Sequence, residues 1–282
     1  MIKETVLGID MGGSNLRAGL VKEQGLSSIV SRRINATGSF DEVVQELFQF
    51  IDQFKNDGVS AIGIGVPGLA DANRETIYDV LNIPSWKEVP LKKLIEEKFH
   101  LPALVENDAN CFALGEFHYG KGKGHDSMIG LTIGTGLGSG IIINKKLYSG
   151  KNGGAGEFGM IDYLDKYLEY YACGQFFKNV YGIEGELVFS GAKEGDKKAI
   201  EMYEEMGVHF GNAIKTILYA FDTDLIILGG SVRHAFPYFS TTMWQQIQSF
   251  PYKRAIGNLK IEVSELENSG ILGAAALHYD IV

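Results

Sequence analysis

The sequence predicts an α/β protein made of two similar lobes, each with a mixed β-sheet flanked by helices. A strand, a glycine turn and a second strand occur in this order twice, at 6–22 and at 128–144. Between and after the two copies, apolar segments with strand character alternate with segments of helical periodicity, which is typical of α/β sheets. We place the lobes by the duplication, with an N-terminal lobe at 1–117 and a C-terminal lobe at 118–282.

The two copies align residue by residue. Placing Asp10 on Thr132 also places Gly12 on Gly134. Each copy is an apolar strand, a turn of small residues and a second apolar strand, which is the pattern of a β-hairpin. A glycine turn that exposes successive backbone N–H groups binds anions, so the pair predicts two lobes that close on a polyphosphate. For either copy alone, an unrelated tight hairpin remains the alternative, because glycine-rich turns are common.

The other elements follow from apolar periodicity and from helix-start and strand-end signals. Apolar residues recur at helical spacing between 43 and 54, and Ser39 with Glu42 forms a capping box at the start of that helix. In order, the sequence predicts strands at Ala61–Val66, Ala103–Glu106 and Leu225–Leu228, and helices at Leu91–Phe99, at Ala109–Phe117 and over about 271–282, the last being a candidate to pack on the N-terminal lobe.

Composition and charge exclude several classes of function. The net charge of −9 comes from 26 basic and 35 acidic residues, which argues against a nucleic-acid partner, because binding phosphates requires a basic surface. No window is apolar enough to span a bilayer, and the N-terminus lacks a signal-peptide pattern. Cys111 and Cys173 are too few for a disulfide framework. We therefore expect a cytoplasmic protein with reduced thiols and no membrane partner.

Asn107 and Asp108 follow a predicted strand and stand at the start of a predicted helix. The helix dipole and the free N–H groups at that position favour an ionised carboxylate. Such a carboxylate can accept the proton of an attacking hydroxyl while the adjacent amide fixes the hydroxyl in place. The alternative is that Asp108 is a simple helix N-cap.

Four further segments are candidates for ligand contacts. Gly68 would let the backbone approach a ligand, or it is an ordinary turn. Asn82 could offer its amide to a sugar, or it belongs to a packed loop. Glu157 follows three nearby glycines, which indicates mobility or close approach to a polyol. Gly229 and Gly230 end a buried strand, where a purine or ribose could lie, or they form a plain strand-to-helix loop.

Taken together, these segments resemble the ROK family of sugar kinases, and the resemblance covers essentially the whole chain. One motif alone is weak, whereas the ordered set is specific. The matching segments are Asp10–Asn15 as the first phosphate loop, Glu106–Asn110 as the catalytic segment, Leu131–Gly138 as the second phosphate loop, Gly156–Gly159 as the sugar-binding glutamate motif and Asp222–Gly230 as the adenosine-side strand. The resemblance implies the actin/hexokinase-like ATPase fold, with Mg-ATP in a cleft between the two lobes.

The resemblance also implies a role for each candidate residue. Asp108 is the implied catalytic base, and Asp10 the implied Mg²⁺ contact, made through water. The implied sugar contacts are Gly68, Asn82, Asn107, Asp108, Glu157 and Glu169. The implied ATP contacts are Asp10, Gly12, Gly13, Ser14, Asn15, Thr132, Gly134, Thr135, Gly136, Gly229 and Gly230.

The sequence departs from the family where members commonly bind a structural zinc ion. Met160 stands at the position of a zinc-binding histidine, and the family's cysteine loop is missing, because 161–166 leads directly to Tyr167. On this alignment Glu169 is the second sugar-binding glutamate. A thioether and a phenol cannot replace that ligand set. The sequence therefore predicts no zinc, with the shortened loop held by packing of Tyr167, Tyr170 and Tyr171.

The resemblance implies phosphorylation of a hexose hydroxyl, with the 6-hydroxyl of glucose as the commonest case. N-acetylhexosamine, fructose and β-glucoside kinases are the alternatives within the family. Because Met160 replaces a hydrogen-bonding group that faces C1 and C2 of the sugar, we expect weaker discrimination at that end. A homodimer is implied by the resemblance alone.

Two other classes of protein fit the sequence less well. A sugar-sensing repressor would carry an N-terminal helix-turn-helix, whereas this chain starts at the first phosphate-loop strand. An actin-like filament or chaperone ATPase would not need polar side chains suited to a polyol. The group Asn107, Asp108, Glu157 and Glu169 therefore favours a sugar kinase.

Overall fold

The computed structural model describes residues 5–23, 25–80 and 82–279. By their internal contacts they form two compact units. Unit 1 comprises the described residues within 1–126, 140–155 and 266–282, and unit 2 comprises 127–139 and 156–265. The division into lobes at 117 and 118, drawn from the duplication, stays a prediction.

The strands and helices that the sequence predicts are present, among further elements that it did not indicate. The strands are β1 Thr5–Met11, β2 Asn15–Lys22, β3 Gly25–Arg33, β4 Val59–Val66, β5 Leu69–Ala70, β6 Ile77–Tyr78, β7 Glu88–Val89, β8 Ala103–Asn107, β9 Met128–Ile133, β10 Leu137–Ile143, β11 Lys146–Leu147, β12 Asp162–Tyr163, β13 Lys166–Tyr167, β14 Leu225–Gly229 and β15 Lys260–Val263. The α-helices are α1 Phe40–Ile51, α2 Leu91–Phe99, α3 Asp108–Tyr119, α4 Leu168–Ala172, α5 Phe176–Tyr181, α6 Gly185–Glu194, α7 Lys197–Phe221, α8 Phe236–Ile247, α9 Lys253–Asn258 and α10 Ser269–Ala276.

The two large sheets have the same plan. The first has the strand order β3-β2-β1-β4-β8, and the second has the order β11-β10-β9-β14-β15. In the first sheet β1 pairs antiparallel with β2 and parallel with β4, so the sheet is mixed. In the second, β10 pairs antiparallel with β11, and β14 pairs parallel with β9 and with β15. The duplication inferred from the glycine turns therefore extends to whole sheets.

In unit 1, helices cover both faces of the first sheet. Helix α1 begins with the predicted capping box, because Ser39 accepts from the Glu42 backbone and the Glu42 carboxylate accepts from the Ser39 backbone. Its apolar face joins strand residues such as Leu7 and Ile62 in one buried core. Helix α10 lies against β1, β4 and α3. This last helix ends at Ala276 and 277–279 form a turn, so the helix predicted over about 271–282 is too long at these positions. Residues 280–282 of that prediction lie outside the described residues.

Close packing of α10 depends on glycine. A Cβ on Gly63 would lie 1.8 Å from the Ala274 carbonyl oxygen, and one on Gly273 would lie 1.6 Å from the Cys111 carbonyl oxygen. Backbone therefore touches backbone between strand and helix and between α10 and α3, and no larger residue fits at these points.

In unit 2, the 25-residue helix α7 packs along α8. Phe210 and Ile214 on α7 are completely buried, as are Phe239 and Met243 on α8. Among the helices that the structure describes, none combines the length and apolar character that crossing a bilayer requires.

Candidate active site

The predicted catalytic residue stands where β8, the last strand in the order of the first sheet, passes into a helix. Strand β8 ends at Asn107, and α3 begins at Asp108. Asn107 Oδ1 accepts hydrogen bonds from the backbone N–H groups of Ala109 at 2.9 Å and Asn110 at 3.2 Å. Asn107 is therefore the N-cap, and the alternative that Asp108 caps the helix is wrong. Asp108 is half-buried in the first turn, with its carboxylate 2.8 Å from the Ala109 N–H.

Gly68, a predicted sugar contact that follows the neighbouring strand β4, meets this turn. Strands β4 and β8 are parallel, with Val66 opposite Asn107, so their carboxyl ends lie side by side. Asn107 Nδ2 donates to the Gly68 carbonyl oxygen at 3.1 Å. Gly68 is required there, because a Cβ would lie 2.8 Å from the Tyr78 carbonyl oxygen. Gly68, Asn107 and Asp108 are thus neighbours at one edge of the first sheet.

The first glycine turn lies against another predicted sugar contact. Gly12, Gly13 and Ser14 connect β1 to β2, and the Gly12 N–H donates to the Asn15 carbonyl oxygen at 2.8 Å. A Cβ on Gly13 would lie 2.5 Å from the Asn82 Cβ. The candidate phosphate turn therefore touches the candidate sugar residue directly.

Asp10 sits near the end of β1, opposite Arg17 on β2. Burial raises the pKa of Asp10, and the Arg17 charge partly offsets that effect. A Cβ on Gly270 would lie 3.0 to 3.3 Å from the Asp10 carboxyl atoms, so the first turn of α10 leaves just enough room for the carboxylate. No group of three or more metal-binding side chains occurs within the described ranges. A single carboxylate fits Mg²⁺, which commonly keeps several waters and takes its other contacts from substrate phosphates.

In unit 2, the second glycine turn is held by its carbonyl groups. The Gly134 N–H donates to the Gly136 carbonyl oxygen at 3.0 Å, and the Gly134 carbonyl accepts from the Gly174 N–H at 2.8 Å. The Thr135 carbonyl accepts from the Cys173 thiol at 3.0 Å. Cys173 is therefore a buried support of this turn, and burial raises its pKa to about 12.

A cavity of about 820 Å³ opens beside that turn. Its walls include Phe177 on α5 and Tyr203 on α7, whose ring centroids are 4.6 Å apart. Sequence reasoning missed both residues, because apolar spacing on a helix also describes ordinary core positions. The lining also includes Gly134, Thr135, Gly174, Ser231, Val232 and Ala235.

The predicted adenosine-side glycines end β14. Gly229 is the last residue of the strand, paired with Thr132 of β9. Gly230 adopts φ +77°, and a Cβ there would lie 2.3 Å from the Ile133 carbonyl oxygen. Only glycine fits both conditions. Ser231, the next residue, lines the cavity.

The two predicted sugar glutamates of unit 2 are close enough to influence each other. Glu169 Oε2 accepts from the Leu137 N–H at 2.7 Å, directly after the second glycine turn. A Cβ on Gly136 would lie 2.5 Å from the same oxygen. Burial, followed by the negative charge of Glu169, raises the pKa of Glu157. The second glycine turn and the two predicted sugar glutamates therefore form one polar group in unit 2.

We expect Glu169→Gln to lower the pKa of Glu157 towards that of an ordinary glutamate. The substitution removes a negative neighbour that disfavours ionisation, so Glu157 would keep its charge to a lower pH. A carboxyl ¹³C NMR titration measures this shift. Glu184→Gln, at an exposed position of the same unit, is the control; an unchanged Glu157 titration in Glu169→Gln would contradict the coupling.

The segment that replaces the family's zinc loop is a short hairpin with aromatic packing. Strands β12 and β13 pair antiparallel. As predicted, the Tyr167 and Tyr170 rings pack with centroids 6.2 Å apart, and those of Tyr170 and Tyr171 are 4.9 Å apart. The sequence did not indicate Tyr163, whose hydroxyl lies 3.1 Å from His209 Nδ1 and 2.9 Å from Asn212 Nδ2 on α7. Met160, at the histidine position, is 58% exposed.

The absence of zinc stays a prediction, which elemental analysis tests directly. We expect elemental analysis of the purified protein to find no stoichiometric zinc, and chelator to leave its melting temperature unchanged, because tyrosine packing and the Tyr163 contacts hold the hairpin. One zinc per chain, or a melting temperature that falls with chelator, would contradict this.

Comparison with known families decides the relationship. The sequence model of the ROK family matches residues 6–281. This chain belongs to the ROK family. Its structure closely matches that of a ROK family glucokinase from Streptomyces griseus in complex with glucose and AMPPNP, with a TM-score of 0.81, 29% identity and coverage of 97% of this chain and 98% of the other. The fold is therefore the predicted actin/hexokinase-like ATPase fold.

Relatives of this ROK family protein include kinases and regulators. A glucokinase of Streptomyces coelicolor is 33% identical over 261 residues, covering 80% of this chain and 81% of the relative. The xylose repressor of Bacillus subtilis is 28% identical over 259 residues, covering 85% of this chain and 67% of the repressor. Family membership alone therefore leaves both a sugar kinase and a sugar-sensing regulator to be considered.

Proposed function

We propose that this ROK family protein transfers the γ-phosphoryl group of ATP to a hexose hydroxyl, with the 6-hydroxyl of glucose as the first candidate. The observation that carries the proposal is the turn between β8 and α3. There a carboxylate, Asp108, stands at a helix N-terminus beside Asn107, whose amide is fixed to the Gly68 carbonyl at 3.1 Å. The glucokinase relative and the structural relative with bound glucose and AMPPNP support the same activity.

In this proposal Asp108 accepts the proton of the attacking sugar hydroxyl. A positioned general base contributes about 10²–10⁴-fold to a rate. Gly68, Asn82, Asn107, Glu157 and Glu169 bind the sugar and fix the direction of its hydroxyl. Because phosphoryl transfer depends on alignment more than on covalent chemistry, this positioning carries much of the remaining acceleration.

ATP is the proposed phosphoryl donor. Gly12, Gly13, Ser14 and Asn15 of unit 1, and Thr132, Gly134, Thr135 and Gly136 of unit 2, are the proposed phosphate contacts. The cavity beside Phe177 and Tyr203 has a volume that suits a nucleoside, and Gly229 and Gly230 directly precede Ser231 in its lining. Asp10 would hold Mg²⁺ through water, and bound Mg²⁺ would neutralise phosphate charge.

We propose that the C1 and C2 end of the sugar faces Met160, which stands in place of the family's histidine. A thioether offers adaptable apolar surface and no strong hydrogen bond. We therefore propose tolerance of N-acetyl or glycosidic substituents at that end. The N-acetylhexosamine, fructose and β-glucoside kinases of the family remain the alternative activities, and a homodimer remains a proposal from the family resemblance.

A coupled ADP-release assay across a panel of sugars tests the function. The panel is glucose, mannose, fructose, N-acetylglucosamine, N-acetylmannosamine and a β-glucoside, each with and without Mg²⁺. We expect sugar-dependent ADP release with at least one hexose. The similarity to a xylose repressor makes regulation the second candidate; sugar binding without ADP release from any of the six would favour it and overturn the kinase proposal.

A further inference from the structure

Glu106, the residue before the catalytic turn, is a completely buried carboxylate. Its Oε1 accepts from the Asn107 backbone N–H at 2.9 Å and from Asn110 Nδ2 at 3.0 Å. Its Oε2 lies 3.3 Å from the Nε of Arg74 and, within the described residues, has no hydrogen bond. A buried carboxylate is costly unless its charge is paired and its oxygens are satisfied. Arg74 therefore provides the charge that balances this group.

Arg74 makes two contacts with β8, one through its backbone and one through its side chain. It lies in the turn between β5 and β6 with an unusual φ of +58°, and its N–H donates to the Asp71 carbonyl oxygen at 2.9 Å. Its own carbonyl oxygen accepts from the Val105 N–H at 3.1 Å, while its guanidinium pairs with Glu106. A non-glycine residue with positive φ is uncommon and persists where its surroundings hold it in place.

The contacts of Arg74 and Glu106 extend to the residues that flank Asp108, the proposed base. Through Glu106, Arg74 is linked to the backbone of Asn107 and to the side chain of Asn110, on either side of Asp108. We propose that Arg74 is a positioning residue for phosphoryl transfer, which holds the turn between β8 and α3 so that the Asp108 carboxylate meets the attacking hydroxyl. This inference rests on the proposed kinase function.

Arginine suits this role better than lysine. Its guanidinium is planar, stays protonated and presents Nε in a direction fixed by the side chain. Arg74 is only 17% exposed at its side chain, so solvent screens the pair weakly. A lysine would keep the charge, but its ammonium is a mobile point charge on a flexible stem.

The test compares Arg74→Met with a matched control in the next residue. Glu75 forms an ion pair with Lys92 at 3.2 Å, and its side chain is 51% exposed. We expect Arg74→Met to lower kcat by 10-fold or more, because a displacement of about 1 Å at a reacting group can cost about 10²-fold, and to leave the KM for ATP within about twofold. Glu75→Gln should leave kcat within about twofold, since exposed ion pairs contribute little.

Two further measurements separate positioning from loss of structure. Arg74→Lys should recover part of the lost kcat, and the double variant Arg74→Met with Glu106→Gln should lose no more than the worse single variant, because residues acting as one unit are not additive. Folded Arg74→Met with unchanged kcat would overturn the proposal. So would a kcat loss fully explained by the unfolded fraction.

Failure of the kinase proposal can be distinguished from failure of this one. If the wild-type protein phosphorylates no sugar, the function is wrong and Arg74 has no role in phosphoryl transfer. If the wild type is active and Arg74→Met is equally active, only the positioning role is wrong. Amide hydrogen exchange at 107–110 gives an independent check: exchange in Arg74→Met should be at least 10-fold faster than in Glu75→Gln, and equal rates would overturn the proposed link.

Discussion

Asp108→Asn is expected to lower kcat by about 10²–10⁴-fold while sugar affinity stays within a few-fold of the wild-type value. The amide has nearly the shape of the carboxylate, so packing at the start of α3 is retained, but it cannot accept the proton of the attacking hydroxyl. Steady-state kinetics with the best sugar of the panel measures kcat, and calorimetry measures sugar binding to the same preparation.

The matched control for this change is Asp41→Asn. Asp41 is an exposed acid in the first turn of α1, so the control loses a helix-terminal charge without touching the proposed site. Its cost should be confined to about 0.3–1 kcal/mol of stability. A folded Asp108→Asn protein that keeps a tenth or more of the wild-type kcat would remove Asp108 from the role of base.

Gly273→Ala is expected to destabilise unit 1 by about 3 kcal/mol or more. The added methyl carbon would lie 1.6 Å from the Cys111 carbonyl oxygen and 2.8 Å from the Gly115 nitrogen. Both are backbone atoms, so relief requires α10 to move away from α3, and such overpacking costs about 1–3 kcal/mol, occasionally more. A denaturant titration of both proteins measures the difference in the free energy of unfolding.

Gly257→Ala is the control with the opposite expected sign. Gly257 lies in α9, and a Cβ there meets no atom within 4 Å. The same substitution should therefore stabilise the protein by about 0.4–1 kcal/mol, through reduced freedom of the unfolded chain. A Gly273→Ala protein as stable as wild type would show that the helix contact is not as close as described.

Local sequence was sufficient to predict elements whose pattern lies within one short segment of the chain. Helix α2 runs over Leu91–Phe99, as its periodicity predicted, and the capping box at Ser39 is present. The glycine turns predicted the duplication, which the matching strand orders of the two sheets extend. Helix-start signals were less selective. Asparagine and aspartate are both preferred at helix N-caps. In the structure, the backbone at the end of β8 places Asn107 at that position.

Contacts between distant segments could not be predicted from a single sequence. Arg74 and Glu106 are 32 positions apart, and no periodicity links them. The ion pair exists because the turn after β5 folds back along β8. In the sequence, Phe177 and Tyr203 have the spacing of ordinary helix core positions. Only the tertiary structure shows that they line the cavity. Likewise, Tyr163 meets His209 only because α7 passes beneath the short hairpin.

The sequence by itself determined the alternation of strands and helices, the two glycine turns and the residue types suited to hold a phosphate and a polyol, because these depend on neighbours within a few positions along the chain. Only the tertiary structure decided which of two adjacent polar residues caps α3, which cation balances Glu106, and why Gly63, Gly230 and Gly273 admit no side chain. Those outcomes depend on which backbone segments are brought within van der Waals distance, and that distance is set by the packing of the whole unit.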